Sequence, residues 1–174
     1  MKRTRLVVMC PPCIALLILL VPERVVASDK PNFSGSYIAE REKKASSDET
    51  ASTLEIVQND ESIEITRVER GKRTISRCPL NGSDGDYTSP NGVAGKCKAQ
   101  LKPKYLIVEF LVVTHPQQAP SPVRVHTKEK WQLSADAKML TIKSEVDFPD
   151  FPSEVSAAVG GTTSGTAKYT RTSP

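Results

Sequence analysis

Apolar and polar residues alternate along most of this chain with a period of two, and a period of 3.6 is nearly absent. The clearest stretch is Val123–Leu133. Val123, Val125, Trp131 and Leu133 share one face, while Arg124, His126, Lys128, Lys130 and Gln132 share the other. Met139–Phe148 repeats the pattern, with Leu140, Ile142, Val146 and Phe148 opposite Thr141, Lys143, Glu145 and Asp147. The short polar stretch Ser134–Lys138 between them predicts a hairpin. Further strands are expected over 33–39, 53–58, 62–69, 73–78, 96–101, 104–114 and 166–171, about nine in all. Residues 104–114 are apolar on both faces, which predicts a strand covered on both sides. Asn59-Asp60-Glu61 and Arg70-Gly71-Lys72 read as tight turns.

Three stretches break the alternation: Glu40–Ser52, charged and Ser-rich; His115–Pro122, with three prolines; and Pro149–Gly165, with the Gly160-Gly161 pair. These are read as loops. Glu40–Ala51 has the composition for a short helix but no apolar stripe. Sequential strands joined mostly by short turns form an antiparallel meander. Eight to ten of them, each with one apolar face, close into an all-β up-and-down barrel that leaves no exposed edge. A two-sheet β-sandwich uses the same pattern and stays open as the alternative.

The first 27 residues stand apart. Lys2, Arg3 and Arg5 precede an apolar run from Leu6 to Val21, and Val25 and Ala27 supply small residues before a cut. This is the arrangement of a cleaved signal peptide. The run is 16 residues long and contains Pro11-Pro12, which is short and broken for a membrane span. The expectation is an exported chain, periplasmic or extracellular, with residues 28–174 as one domain and no stable membrane anchor after cleavage.

Cleavage changes the charge. The whole sequence carries +4, but loss of Lys2, Arg3, Arg5, Arg24 and Glu23 leaves +1 on the remaining 147 residues. A nucleic-acid partner needs a concentrated positive field, and none is expected. Cys78 and Cys97 remain in an oxidising compartment and are expected to form a disulfide closing a loop of 18 residues. With only His115 and His126 elsewhere, no metal site is expected.

Candidate chemistry is sparse. Neither histidine neighbours a nucleophile motif, so no catalytic residues and no cofactor are assigned. Alternation places Glu129 on the face of Val125 and Trp131, and Arg67 on the face of Ile63 and Ile65. Thr127 and Ser144 also fall inward. Polar groups inside an apolar cavity are what a ligand site looks like, and Glu129, Trp131, Arg67, Thr127 and Ser144 form the candidate set. A buried Glu129–Arg67 pair serving only the fold is the competing reading. Arg67, Arg70, Lys72, Arg73 and Arg77 also cluster around one turn, where they could attract an anionic partner.

Two motifs resemble a known family. Asn32-Phe33-Ser34-Gly35-Ser36-Tyr37 is similar to the "NFSGxW" start of small exported bacterial proteins described as lipocalin-like. Trp131 to Ile142 is similar to their "W-x-L-S-x-D-G-K-x-L-T-I" hairpin, with Tyr37 in place of the usual Trp and Ala137 in place of the turn Gly. The resemblance implies a lipocalin-like barrel and no particular activity. Three functions follow: a non-enzymatic module holding a small hydrophobic or amphiphilic molecule; a protein-interaction or inhibitor scaffold working through His115–Pro122 and Pro149–Gly165, its partner unidentified; and, last, an enzyme.

Overall fold

The computed structural model describes residues 30–40, 51–115, 121–150 and 163–173. The expected signal peptide lies outside these residues, as does most of each of the three loops. Ten strands form one closed antiparallel barrel: β1 (Gly35–Ala39), β2 (Thr53–Gln58), β3 (Ser62–Glu69), β4 (Lys72–Pro79), β5 (Gly85–Thr88), β6 (Ala94–Leu101), β7 (Leu106–Thr114), β8 (Val123–Leu133), β9 (Met139–Asp147) and β10 (Thr163–Ser173). Each strand pairs with its neighbours in sequence, and β1 pairs with β10 to close the ring. Closure removes every edge, which decides between barrel and sandwich.

The local chemistry explains the turns. Arg70 and Gly71 both have positive φ, 50° and 74°, and form the two-residue connection of β3 to β4. Such a turn twists in the same sense as its strands. Asn59 accepts hydrogen bonds from the backbone of Glu61 and Ser62 and so holds the β2–β3 turn. In the β8–β9 hairpin, Asp136 accepts from the Lys138 backbone and the Ser134 hydroxyl, while Ala137 takes φ 55°. That left-handed conformation suits glycine better than alanine.

Three sequence expectations need correction. β5 was not expected: it is four residues long within a stretch rich in Gly, Asp and Ser, and only Tyr87 gives it an apolar contact, with Phe110 at 4.7 Å. β10 begins at Thr163, inside the expected loop Pro149–Gly165, because its ladder to β9 runs from Thr163 opposite Val146. Its Thr, Ser and Gly residues carry no apolar alternation to announce it. Finally, β7 is covered on one side only. Leu106, Val108 and Phe110 are buried, but Leu111 and Val113 on the outer face are 39% and 43% exposed.

The core fills the end of the barrel at which β1 starts. Leu54, Ile56, Ile63, Ile65, Leu106, Val108, Trp131, Leu140 and Ile142 are all 2% exposed or less. The Cys78–Cys97 disulfide lies among them, with Cα atoms 5.3 Å apart, and ties β4 to β6. The segment 32–37 and the start of the β8–β9 hairpin meet at this end. Phe33 packs edge-on against Trp131 at 6.4 Å, and the Tyr37 hydroxyl donates to the Phe33 carbonyl. Arg171 stacks over the Tyr37 ring at 5.1 Å and donates to the Ser34 and Asn32 carbonyls. A Cβ on Gly35, at φ 139°, would sit 2.7 Å from the Ser173 carbonyl oxygen, so this strap lies against β10 only with glycine there. Residues 31–34 and Arg171 therefore close one end of the barrel.

Candidate functional site

The inward-facing wall changes character along the barrel axis. From the closed end up to Glu129 it is largely buried and mostly apolar, with Ser76 as a buried polar member. Beyond that level Arg67, Tyr87, Val112, Val125, Thr127, Ser144 and Val146 are only half-buried, and Gly165 and Ala167 are exposed. Val123, Phe110 and Thr74, 7%, 6% and 8% exposed, are the exceptions at these levels. The described inward side chains are therefore mostly buried through one half of the barrel and mostly half-exposed along the other, the lined half. The connections from β1 to β2, β7 to β8 and β9 to β10 all leave from the lined end.

Glu129 sits at the boundary. The β8 register puts it opposite Val108 on β7 and Ser144 on β9, facing inward, and it is 3% exposed. A carboxylate taken out of water needs partners on both oxygens. Arg67 supplies them from the far wall: Nη2 donates to Oε2 at 3.1 Å, and Nη1 and Nη2 donate to Oε1 at 3.2 Å. The Trp131 indole, two residues along the same face, donates to Oε2 at 2.8 Å. Glu69 stands beside the guanidinium, its carboxylate 3.6 Å from Arg67 Nε. Arg67 itself keeps 22% of its side chain exposed towards the lined half. Burial works against its charge, but the charge and hydrogen bonds of Glu129 prevail and raise its pKa above the ordinary arginine value.

The structure thus brings three of the five candidate residues into direct contact: Glu129, Arg67 and Trp131. Ser144 is the cross-strand neighbour of Glu129, and Thr127 lies one inward position further along β8, opposite Phe110. Arg67 leaves the basic cluster for the interior, and Arg77 is paired on the outer wall with Glu64 at 2.6 Å. His126 faces outward, Nδ1 3.3 Å from Asp147 and Nε2 3.8 Å from Glu109.

Sequence reasoning missed five residues of this interior: Glu69, Thr74, Ser76, Tyr87 and Tyr169. On β4 the alternation misleads, because Ile75 points outward while Thr74 and Ser76 point in, 8% and 4% exposed. The signal was present in Cys78. A disulfide inside the barrel fixes the parity of its strand, and 76 and 74 then face inward. Burial raises the pKa of both Tyr87 and Tyr169, and the nearby Arg67 charge opposes the rise.

No family model matches the chain, and no curated protein matches it. Among solved structures the chain is similar to zebrafish ileal bile acid-binding protein in complex with cholic acid. Identity is 14%, the TM-score is 0.52, and the match covers 80% of this chain and 98% of that one. At this identity the likeness speaks for the fold: a closed, all-β, lipocalin-like barrel of ten antiparallel strands.

Proposed function

We propose that this chain is an exported, non-enzymatic binding module that holds a small hydrophobic or amphiphilic molecule in the lined half of its barrel. The observation that carries the reading is the division of the interior. One end is packed solid and strapped shut, while the inward wall of the other, including Val112, Val125 and Val146, is left partly exposed. An apolar concavity with a few convergent polar groups is the usual form of a small-molecule site. The Glu129–Arg67–Trp131 group forms its floor. A solved structure of similar fold holds cholic acid, a molecule of this kind. Export is supported by the n-region, apolar run and small residues of 1–27 and by the paired cysteines.

Trp131 is the only tryptophan and touches the floor directly, so it reports on the lumen. Titration with the neutral apolar fluorophore N-phenyl-1-naphthylamine should raise probe emission saturably and perturb Trp131 fluorescence. Absence of both responses would sink the binding reading. The scaffold reading, acting through His115–Pro122 and Pro149–Gly165, would then lead. N-terminal sequencing of secreted material should begin at Ser28 or Asp29; a start at Met1 would remove export.

A further inference from the structure

The charge arrangement of the lumen restricts what it can hold. Among the described residues, four charged side chains face the lined half: Arg67 and Glu69 from β3, Lys72 from β4 and Glu129 from β8. Arg171 also faces inward but is spent at the closed end, on Tyr37 and the carbonyls of Asn32 and Ser34. Of the four, Arg67 already gives both terminal nitrogens to Glu129 and lies beside Glu69. Lys72 is exposed at the rim and stands directly opposite Glu69 in the β3–β4 ladder. Two cations thus face two carboxylates, and among the described residues the interior is balanced before any ligand arrives. A carboxylate head group would have to displace Glu129 from Arg67, stranding a charge that is 3% exposed. Otherwise it would lie unpaired beside two like charges.

Hydroxyls are plentiful at the same level. Thr74, Ser76, Tyr87, Thr127, Ser144 and Tyr169 all face inward around the ion pair. Each both donates and accepts, so together they suit a partner that does the same.

We propose that the lumen takes amphiphiles with an uncharged, hydroxyl-bearing head group and discriminates against carboxylates. This rests on the lined half of the barrel being the ligand space. It also separates this chain from its structural neighbour, whose ligand is an acid.

The test is displacement of N-phenyl-1-naphthylamine by dodecanol and by dodecanoate at neutral pH, two ligands with the same chain and different heads. Dodecanol should bind tighter by at least about tenfold, the effect of one uncompensated like-charge contact. Glu129→Gln releases Arg67 and should raise dodecanoate affinity at least as much. Glu69→Gln removes a half-exposed carboxylate while leaving the buried pair intact, and should shift affinity the same way by less. It decides the matter if Glu129→Gln does not fold. Dodecanoate binding as tightly as dodecanol to the unmodified protein, or no gain of dodecanoate affinity in a folded Glu69→Gln protein, overturns the selectivity and leaves the binding reading standing. Failure of the probe and of both ligands to bind overturns the two together.

Discussion

Replacing Arg67 by Met strips the partner from the Glu129 carboxylate, whose side chain is 4% exposed. Removing one member of a buried ion pair costs about 3–5 kcal/mol, chiefly because the other charge is left unpaired. Trp131 would still donate to Glu129, and Met fills much of the stem volume of Arg, so about 3 kcal/mol is expected. Glu129→Gln leaves the guanidinium instead. That group is 22% exposed and keeps Glu69 at 3.6 Å, so about 2 kcal/mol is expected. The double variant leaves no stranded charge, and the amide carbonyl introduced in place of the carboxylate can still accept from Trp131. It should cost only about 1–2 kcal/mol, giving a coupling energy of about 3–4 kcal/mol. Urea unfolding with the disulfide intact, followed by far-ultraviolet circular dichroism and by Trp131 emission, measures all three. At an m-value of about 2 kcal/mol per molar, Arg67→Met should lower the midpoint by about 1–2 M. A double variant that costs the sum of the singles would show that the two charges do not act as a unit. The argument that the lumen is electrostatically balanced would fall with it.

Other perturbations test the frame around this group. In material lacking residues 1–27, a thiol reagent should find no reactive thiol under denaturing, unreduced conditions, and Cys78→Ser should cost roughly 2–4 kcal/mol; two thiols per chain would mean the cysteines are unlinked. Ala137→Gly should stabilise by about 0.5–1 kcal/mol in thermal or urea unfolding, because it relieves a left-handed φ of 55°; a loss would show that the turn is unstrained. Tyr37, Tyr87 and Tyr169 all have pKa values raised chiefly by burial. A phenol that resists ionisation when folded stabilises the unfolded state relative to the fold only once it can ionise there: its contribution is unchanged below the unfolded tyrosine value of about 10, and stability is lost as pH rises from there through the folded value. Tyrosinate absorbance near 295 nm should therefore appear at higher pH in native than in urea-unfolded protein, with the urea midpoint falling over the same interval; coincident titrations would contradict the burial of these rings.

Much of the architecture is written locally, because a strand side chain points in or out according to its position alone. The alternation from Val123 to Leu133 and from Met139 onward placed β8 and β9, and with them the inward positions of Glu129, Trp131, Thr127 and Ser144. Gly71 and Asn59 marked their turns through chemistry confined to a few residues. With Cys10 and Cys13 assigned to the expected signal peptide, the remaining pair pointed to the disulfide. Tertiary structure decided what depends on partners far along the chain. β5 and the first residues of β10 exist because neighbouring strands offer them a ladder, not because their own sequence demands one. β7, apolar on both faces, reads as covered on both sides, yet a barrel wall has only one interior. Arg67 and Glu129, 62 residues apart, meet because closure sets β3 across the lumen from β8. The same closure draws the Phe33 segment and Arg171 across one end, while the described inward side chains at the other stay partly exposed. No single strand carries that difference, since a barrel's interior volume belongs to all ten strands together.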